Sequence, residues 1–144
     1  MEVAFYHLTV TPLEKALPKL VEKIYLNGLR ALIVCDSQER METLNSVLWT
    51  FSPTSFIPHN FVGDPLRHPI WLSLSADNVN KAEVVIVLNG VMITDNSFSR
   101  CMDMFDGNNP SVVQQARDRY KNYRERDLKL TYWKQNDKGA WGQG

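Results

Sequence analysis

The sequence predicts an α/β fold in one domain: a mostly parallel, twisted sheet with helices on both faces. Two observations carry this. Ala31-Leu32-Ile33-Val34-Cys35 and Val84-Val85-Ile86-Val87-Leu88 are continuous apolar runs, the pattern of strands buried on both faces of a sheet. Segments of helical periodicity alternate with strand-like runs in a β-α-β-α order, which asks for parallel pairing. A chain of 144 residues, 44% hydrophobic and 22% charged, has the size to bury one good core. The spacing places this domain at residues 1–134 and leaves 135–144 as a flexible C-terminal tail that should fray.

The elements follow in order. Val3 to Leu8 is a short β-rich opening. Thr11-Pro12 offers a cap and a first-turn proline, and Leu13, Ala16, Leu17, Leu20, Val21, Ile24 and Tyr25 then recur at helical spacing up to Gly28. Pro18 interrupts that pattern, so the helix is expected to start near Leu17 after a turn. The strand 31–35 comes next. Asp36 and Glu39 form a capping-box-like pair ahead of Met41, Leu44, Val47 and Leu48. Residues 50–69 contain Pro53, Pro58, Pro65, Pro69 and Gly63, an irregular connection that Trp49, Phe51, Phe56, Ile57 and Phe61 are apolar enough to pack. Ile70 to Leu74 and Val84 to Leu88 are two further strands. Ser97 to Phe105 fits a helix or a strand equally, Asn108-Asn109-Pro110-Ser111 starts a helix, and Leu128 to Trp133 reads as an edge strand.

Charge narrows the function. Sixteen basic and sixteen acidic side chains cancel, yet residues 110–144 hold eight basic and four acidic ones. A domain that wraps nucleic acid is basic over most of its surface, because phosphate neutralisation supplies the affinity. A local positive field suits a small anionic partner or a short peptide. Cys35 and Cys101 show no metal-finger spacing and read as buried, reduced thiols. No leader is evident after Met1-Glu2, and no apolar run nears the ~18–20 residues of a membrane span, so a soluble cytoplasmic protein without membrane contact is expected.

The equipment of catalysis is sparse. The seven glycines form no GxGxxG or GxxxxGK[ST] turn, and the three histidines make no HExxH-like group, so neither a cofactor nor a metal is expected. His7 reads as a packed or edge histidine. The sharpest enzymatic alternative is a small Cys/His hydrolase using Cys35, Asp36, His59 and His68, although a core cysteine and a helix cap explain the first two as well.

The segment Ala116 to Arg126 carries more information. At about 100° per residue, Val112, Val113, Ala116, Tyr120 and Tyr123 share one apolar side, and Arg117, Lys121 and Arg124 form a narrow basic stripe beside it. Like charges three and four residues apart cost ~0.2–0.5 kcal/mol each, so helix stability alone does not select the stripe. Arginine forks hold carboxylates while an aromatic edge shelters an apolar group, which points to an acidic ligand with a hydrophobic end. A direct single-stranded nucleic-acid binder would also combine basic and aromatic side chains. A second cluster, Trp49, Phe56, Pro58, His59 and Asn60, either seals the core beneath the long connection or offers an aromatic anchor to a partner.

Leu48-Trp49 with Ser55-Phe56-Ile57-Pro58-His59-Asn60, the helix Ala116-Arg117-Asp118-Arg119-Tyr120-Lys121-Asn122-Tyr123-Arg124 and the opening Phe5-Tyr6-His7-Leu8 together resemble the chi subunit of bacterial DNA polymerase III, from about Val3 to Trp133. The resemblance implies a Rossmann-like fold and a non-catalytic connector in the replisome. It implies two partners: the psi subunit, which joins the clamp loader, and the acidic C-terminal tail of single-stranded DNA-binding protein, which ends in aspartates and a terminal Ile-Pro-Phe. DNA is then reached only indirectly. By the resemblance, Arg117 takes the terminal carboxylate, Tyr120 edges the apolar pocket, and Lys121 and Arg124 meet the aspartates. Val113 stands where some relatives carry another basic residue, so one tail contact is missing. The aromatic surface of Trp49, Phe56, Pro58 and His59 is the candidate for psi or another partner.

Overall fold

The computed structural model describes residues 1–51 and 57–143. Along the chain these form β1 (Glu2–Leu8), α1 (Leu13–Leu26), β2 (Ala31–Val34), α2 (Gln38–Thr50), β3 (His59–Asn60), a 3-10 turn (Pro65–Arg67), β4 (Ile70–Ser73), β5 (Val84–Val87), β6 (Arg100–Asp106), α3 (Pro110–Glu125), β7 (Lys129–Gln135) and β8 (Trp141–Gln143). The strands make one sheet in the order β3-β4-β2-β5-β6-β1-β7-β8. Pairing is parallel throughout except between β7 and β8.

Alternation along the strands sends neighbouring residues to opposite faces, and each face has its own core. Ile33, Ile86 and Met102 meet Leu17, Val21 and Leu44 of α1 and α2 on one side. Leu32, Val85 and Phe5 meet Ala116 and Tyr123 of α3 on the other. The expectation of a mostly parallel α/β sheet with helices on both faces therefore holds, and Ala31 to Val34 and Val84 to Val87 are buried at every position. The ambiguous segment before Phe105 resolves as a strand, because β6 fills the slot between β5 and β1.

Two local expectations change. α1 begins at Leu13 and runs straight through Pro18. A mid-helix proline costs about 3 kcal/mol, but Leu17, Val21 and Ile24 on the same face are all buried, and that packing outweighs it. The cap of α2 is Ser37, whose hydroxyl accepts from the Arg40 N–H at 3.0 Å, while Asp36 instead pairs with Arg40 at 3.4 Å. Residues 135–143 fold back toward the sheet, ending in β8. The Asn136 side chain accepts from the N–H groups of Lys138 and Ala140, Gly139 supplies a φ of +82°, and β8 brings the Trp141 ring edge-on to Tyr6 at 5.3 Å. Gln135, buried at the end of β7, accepts from Thr9, Val10 and Thr11 N–H, so the same turn also holds the β1–α1 loop. β7 is consequently internal, with β8 outside it.

The long connection before β4 is held from outside its own sequence. Arg30 donates to the carbonyls of Leu66 and His68 at 2.9 Å each and to Asn80 at 2.7 Å, and buried Asn80 donates to Ala31 at 3.0 Å.

α3 is pinned in rotation by two groups. Arg119 points into the domain and forks onto Asp103 of β6, with Nε–Oδ2 at 2.7 Å and Nη2–Oδ1 at 3.0 Å. Tyr123 is fully buried, and its hydroxyl accepts the Ile93 N–H at 2.8 Å. Around Phe5, the rings of Tyr120, Tyr123, Tyr132 and Phe105 lie with centroids between 5.5 and 6.5 Å. β6 then turns at Gly107, where a Cβ would stand 1.9 Å from the His7 ring.

Two stability predictions arise here. Asp103→Leu leaves the Arg119 charge buried and unpaired, so chemical denaturation should show a loss of about 3–5 kcal/mol, whereas Asp103→Leu with Arg119→Met should recover most of it. Gly107→Ala drives a methyl group into His7 and should cost at least the ~1–3 kcal/mol of an overpacked core, read by urea unfolding.

Candidate functional site

The residues of the basic stripe divide by depth as the helix rotates. Ala116, Arg119 and Tyr123 are buried, Val112, Val113 and Tyr120 are half-buried, and Arg117, Lys121 and Arg124 are exposed. None of the last three has an ion-pair partner among the described residues. Arg119, which helical spacing leaves outside the stripe, is instead neutralised internally by Asp103.

Beside the stripe lies an open groove of about 440 Å³ lined by Arg117 and Tyr120 of α3, His7 of β1, and Tyr132 and Lys134 of β7. Parallel pairing builds it. β1 sits beside β7 with His7 opposite Lys134 and Phe5 opposite Tyr132, so both strands present alternate residues beneath α3. The Tyr120 and Tyr132 rings meet edge-on at 6.1 Å to form its apolar part. Two cations from different elements, Arg117 and Lys134, flank it. His7 is buried under the groove, its Nδ1 2.5 Å from the Tyr132 hydroxyl. Burial first, then Lys134 and Arg117, push the His7 imidazole below its ordinary range, with the Gly107 backbone and Asp106 opposing. Burial also raises the Tyr132 phenol, against the pull of Arg117. Sequence reading found Arg117 and Tyr120 and missed His7, Tyr132 and Lys134, which converge only through the β1–β7 pairing.

A second hollow, about 640 Å³, opens at the carboxyl ends of β1, β5 and β6, where doubly wound sheets hold ligands. Most of its charges are paired with one another. Arg40 binds Glu14 at 2.6 Å and Asp36 at 3.4 Å, and Arg119 at its margin is committed to Asp103. The backbone nest that a phosphate needs is absent from the sequence around it.

The residues of the hydrolase alternative are not poised for chemistry. Cys35 is buried, and burial pushes its thiol up to about 12, with Asp36 adding to the shift. His59 is buried with both ring nitrogens facing backbone carbonyls, Ile57 at 2.6 Å and Asn45 at 3.0 Å. His68 lies over Trp71, ring centroids 5.7 Å apart. Both cysteines are free and buried. Among the described residues no cluster of three metal-ligating side chains occurs, and no helix is long and apolar enough to cross a membrane.

The aromatic cluster sits at the opposite end of the sheet, beside β3. Trp49, at the end of α2, is 46% exposed and leans over the His59 ring at 4.3 Å, with Pro58 half-buried next to it. Phe56 lies outside the described residues.

Comparison with known proteins places the chain among its relatives. Residues 1–131 match the family model described as DNA polymerase III chi subunit, HolC. A probable DNA polymerase III subunit chi from Rickettsia prowazekii is 31% identical over 90 residues, 61% of this chain and 54% of that protein. The chain thus spans about half the length of that relative. DNA polymerase III subunit chi from Haemophilus influenzae is 28% identical over 127 residues, covering 83% of this chain and 88% of the relative. Its counterpart from Pseudomonas aeruginosa is 28% identical over 114 residues, covering 78% and 79%. The matched range contains all eight residues named for the two candidate surfaces, the last of them Arg124. With a parallel α/β sheet, a basic-striped third helix and a family match across nearly its whole length, this chain belongs to the DNA polymerase III chi subunit family.

Proposed function

We propose that this protein is a non-catalytic connector of the bacterial replisome, working in the cytoplasm. The groove beside α3 binds the acidic C-terminal tail of single-stranded DNA-binding protein, and a separate surface joins the psi subunit and, through it, the clamp loader. The observation that carries the reading is the unpaired, exposed set Arg117, Lys121 and Arg124 running away from a groove with a tyrosine wall. Stability does not reward like charges at that spacing. A ligand does.

The groove fits the end of such a tail in both chemistry and polarity. Arg117 at its rim meets the terminal carboxylate, and Tyr120 shelters the terminal phenylalanine. Lys121 and Arg124, further along the exposed face, meet the aspartates. A charge-assisted hydrogen bond contributes ~1.5–3 kcal/mol, a buried ring ~1.5–3, and each exposed ion pair ~0.2–1. Their sum, before ordering costs, falls near or below the ~8 kcal/mol of a micromolar complex. With Val113 lacking a charge, binding is micromolar or weaker.

The psi surface is assigned to Trp49, Phe56 and Pro58, with the buried His59 ring supporting Trp49 from beneath. Support comes from the exposure of Trp49, a large aromatic side chain held firm against a buried histidine ring, the kind of anchor that dominates protein interfaces. The two surfaces lie near opposite ends of the sheet, so one molecule has room for both partners at once.

Fluorescence anisotropy with a labelled tail peptide tests the first surface. Arg117→Ala should weaken binding by about 10- to 150-fold, the equivalent of ~1.5–3 kcal/mol. Lys121→Ala and Arg124→Ala should each cost less than about sixfold. Affinity should fall as salt rises from about 50 to 300 mM, since these contacts are exposed and screened. An unchanged Kd for Arg117→Ala, or tight binding of an oligonucleotide without any tail, would reject the assignment. For the second surface, Trp49→Ala should abolish co-purification of psi while leaving tail binding intact.

A further inference from the structure

The floor of the groove holds a titratable pair that the tail contacts do not account for. His7 is 7% exposed, its Nδ1 lies 2.5 Å from the Tyr132 hydroxyl, and the Gly107 backbone packs against its Cδ2 and Nε2 side. Every charged group facing it can be named. Lys134 and the Tyr132 hydroxyl come from β7, Arg117 from α3, and Asp106 from the end of β6, next to the Phe105 ring at 5.0 Å. Two of these are the cations that flank the groove.

We propose that His7 and Tyr132 form a proton-coupled carboxylate reader: a carboxylate seated between Arg117 and Lys134 draws a proton from water onto His7, and Tyr132 turns its hydroxyl to donate to that carboxylate. This rests on the groove being the tail site.

The hydrogen bonds allow two arrangements, one for each charge state. With the ring neutral and Nε2 turned toward Gly107, Nδ1 accepts the Tyr132 O–H, and the hydroxyl proton is withheld from the groove. With the ring protonated, Nδ1–H donates to the Tyr132 oxygen, and the hydroxyl proton is free to point outward. An empty groove favours the first state, because burial, Lys134 and Arg117 oppose a charge on His7. A bound carboxylate cancels part of the field of both cations and offers an acceptor to the freed hydroxyl. The balance then moves to the second state. One proton enters from solvent, no covalent bond to carbon changes, and by linkage the proton strengthens binding by the same factor that binding strengthens protonation.

The reader also explains why the groove keeps a histidine beside two cations on an otherwise aromatic floor. A neutral, apolar residue would support the rings equally well. An imidazole lets the hydroxyl change from donor-inward to donor-outward while itself taking up the proton, without leaving a buried polar atom unpaired.

Calorimetric titration tests this, with a synthetic peptide of several aspartates ending in Ile-Pro-Phe with a free carboxyl group. It is run in two buffers of different ionisation heat between about pH 5.5 and 7.5, bracketing the ordinary histidine value of ~6.5. The expected result is uptake of a fraction of one proton per peptide, with tighter binding at the acid end. If occupancy moves the His7 titration by about one pH unit, the protonated form binds about tenfold more tightly than the neutral one. His7→Gln should still bind and should lose both the uptake and the pH dependence, and Tyr132→Phe should reduce both. Should His7→Gln fail to fold, proton NMR of the histidine rings in the unaltered protein reads the same quantity, as an upward move of the His7 titration when peptide is added. Binding without proton uptake, or uptake that persists in His7→Gln, overturns the reader and leaves the tail site standing. Absence of binding at every pH overturns both.

Discussion

The rotation of α3 about its own axis is the constraint on which the candidate site depends. A helix presents every residue in turn, so 100° decides whether a given arginine meets a partner protein or its own core. Asp103 settles it here. Its fork to Arg119, with Tyr123 tied to the Ile93 backbone four residues further on, admits one rotational setting, in which Arg117, Lys121 and Arg124 face water. A buried pair of this kind adds little net stability compared with apolar packing. Its contribution in this fold is specificity of orientation, because any other setting strands a buried carboxylate.

The same economy governs the sheet. β6 and β7 both run parallel to β1 and flank it, with α3 as the crossover between them. That single β-α-β unit over β1 packs Phe5 against four aromatic rings and lays Tyr120 beside Tyr132. The groove is the outer margin of that aromatic cluster. Structural core and candidate site are therefore continuous, which gives the groove walls built from packed rings.

The position of the groove is unusual for a parallel sheet. Ligands of doubly wound folds gather at the carboxyl ends of the strands, and a hollow exists there, but its arginine, Arg40, is held by Glu14 and Asp36. Cys35, at the end of β2, is sealed in the core instead of being presented as a nucleophile. The fold retains the architecture of an enzyme scaffold, while its unsatisfied chemistry has moved to the flank of one helix. Fold and function separate in this way whenever a site is built on a surface rather than in a crevice.

Periodicity and composition were enough for the layered α/β arrangement, for the buried strands β2 and β5, and for the sorting of α3 into an apolar and a basic side, because these depend on spacing along the chain. Local chemistry was a weaker guide. Pro18 stayed inside a helix because tertiary packing outweighed its cost, and Ser37 displaced Asp36 as the cap. Of the groove, sequence spacing disclosed the α3 side, Arg117 and Tyr120. His7, Tyr132 and Lys134 are more than a hundred residues apart at the extremes, and only the parallel register of β1 and β7 brings them together. The internal arginine is the sharpest case: helical spacing keeps Arg119 out of the stripe of Arg117, Lys121 and Arg124, but only the carboxylate that β6 places beneath it makes it a buried, paired cation.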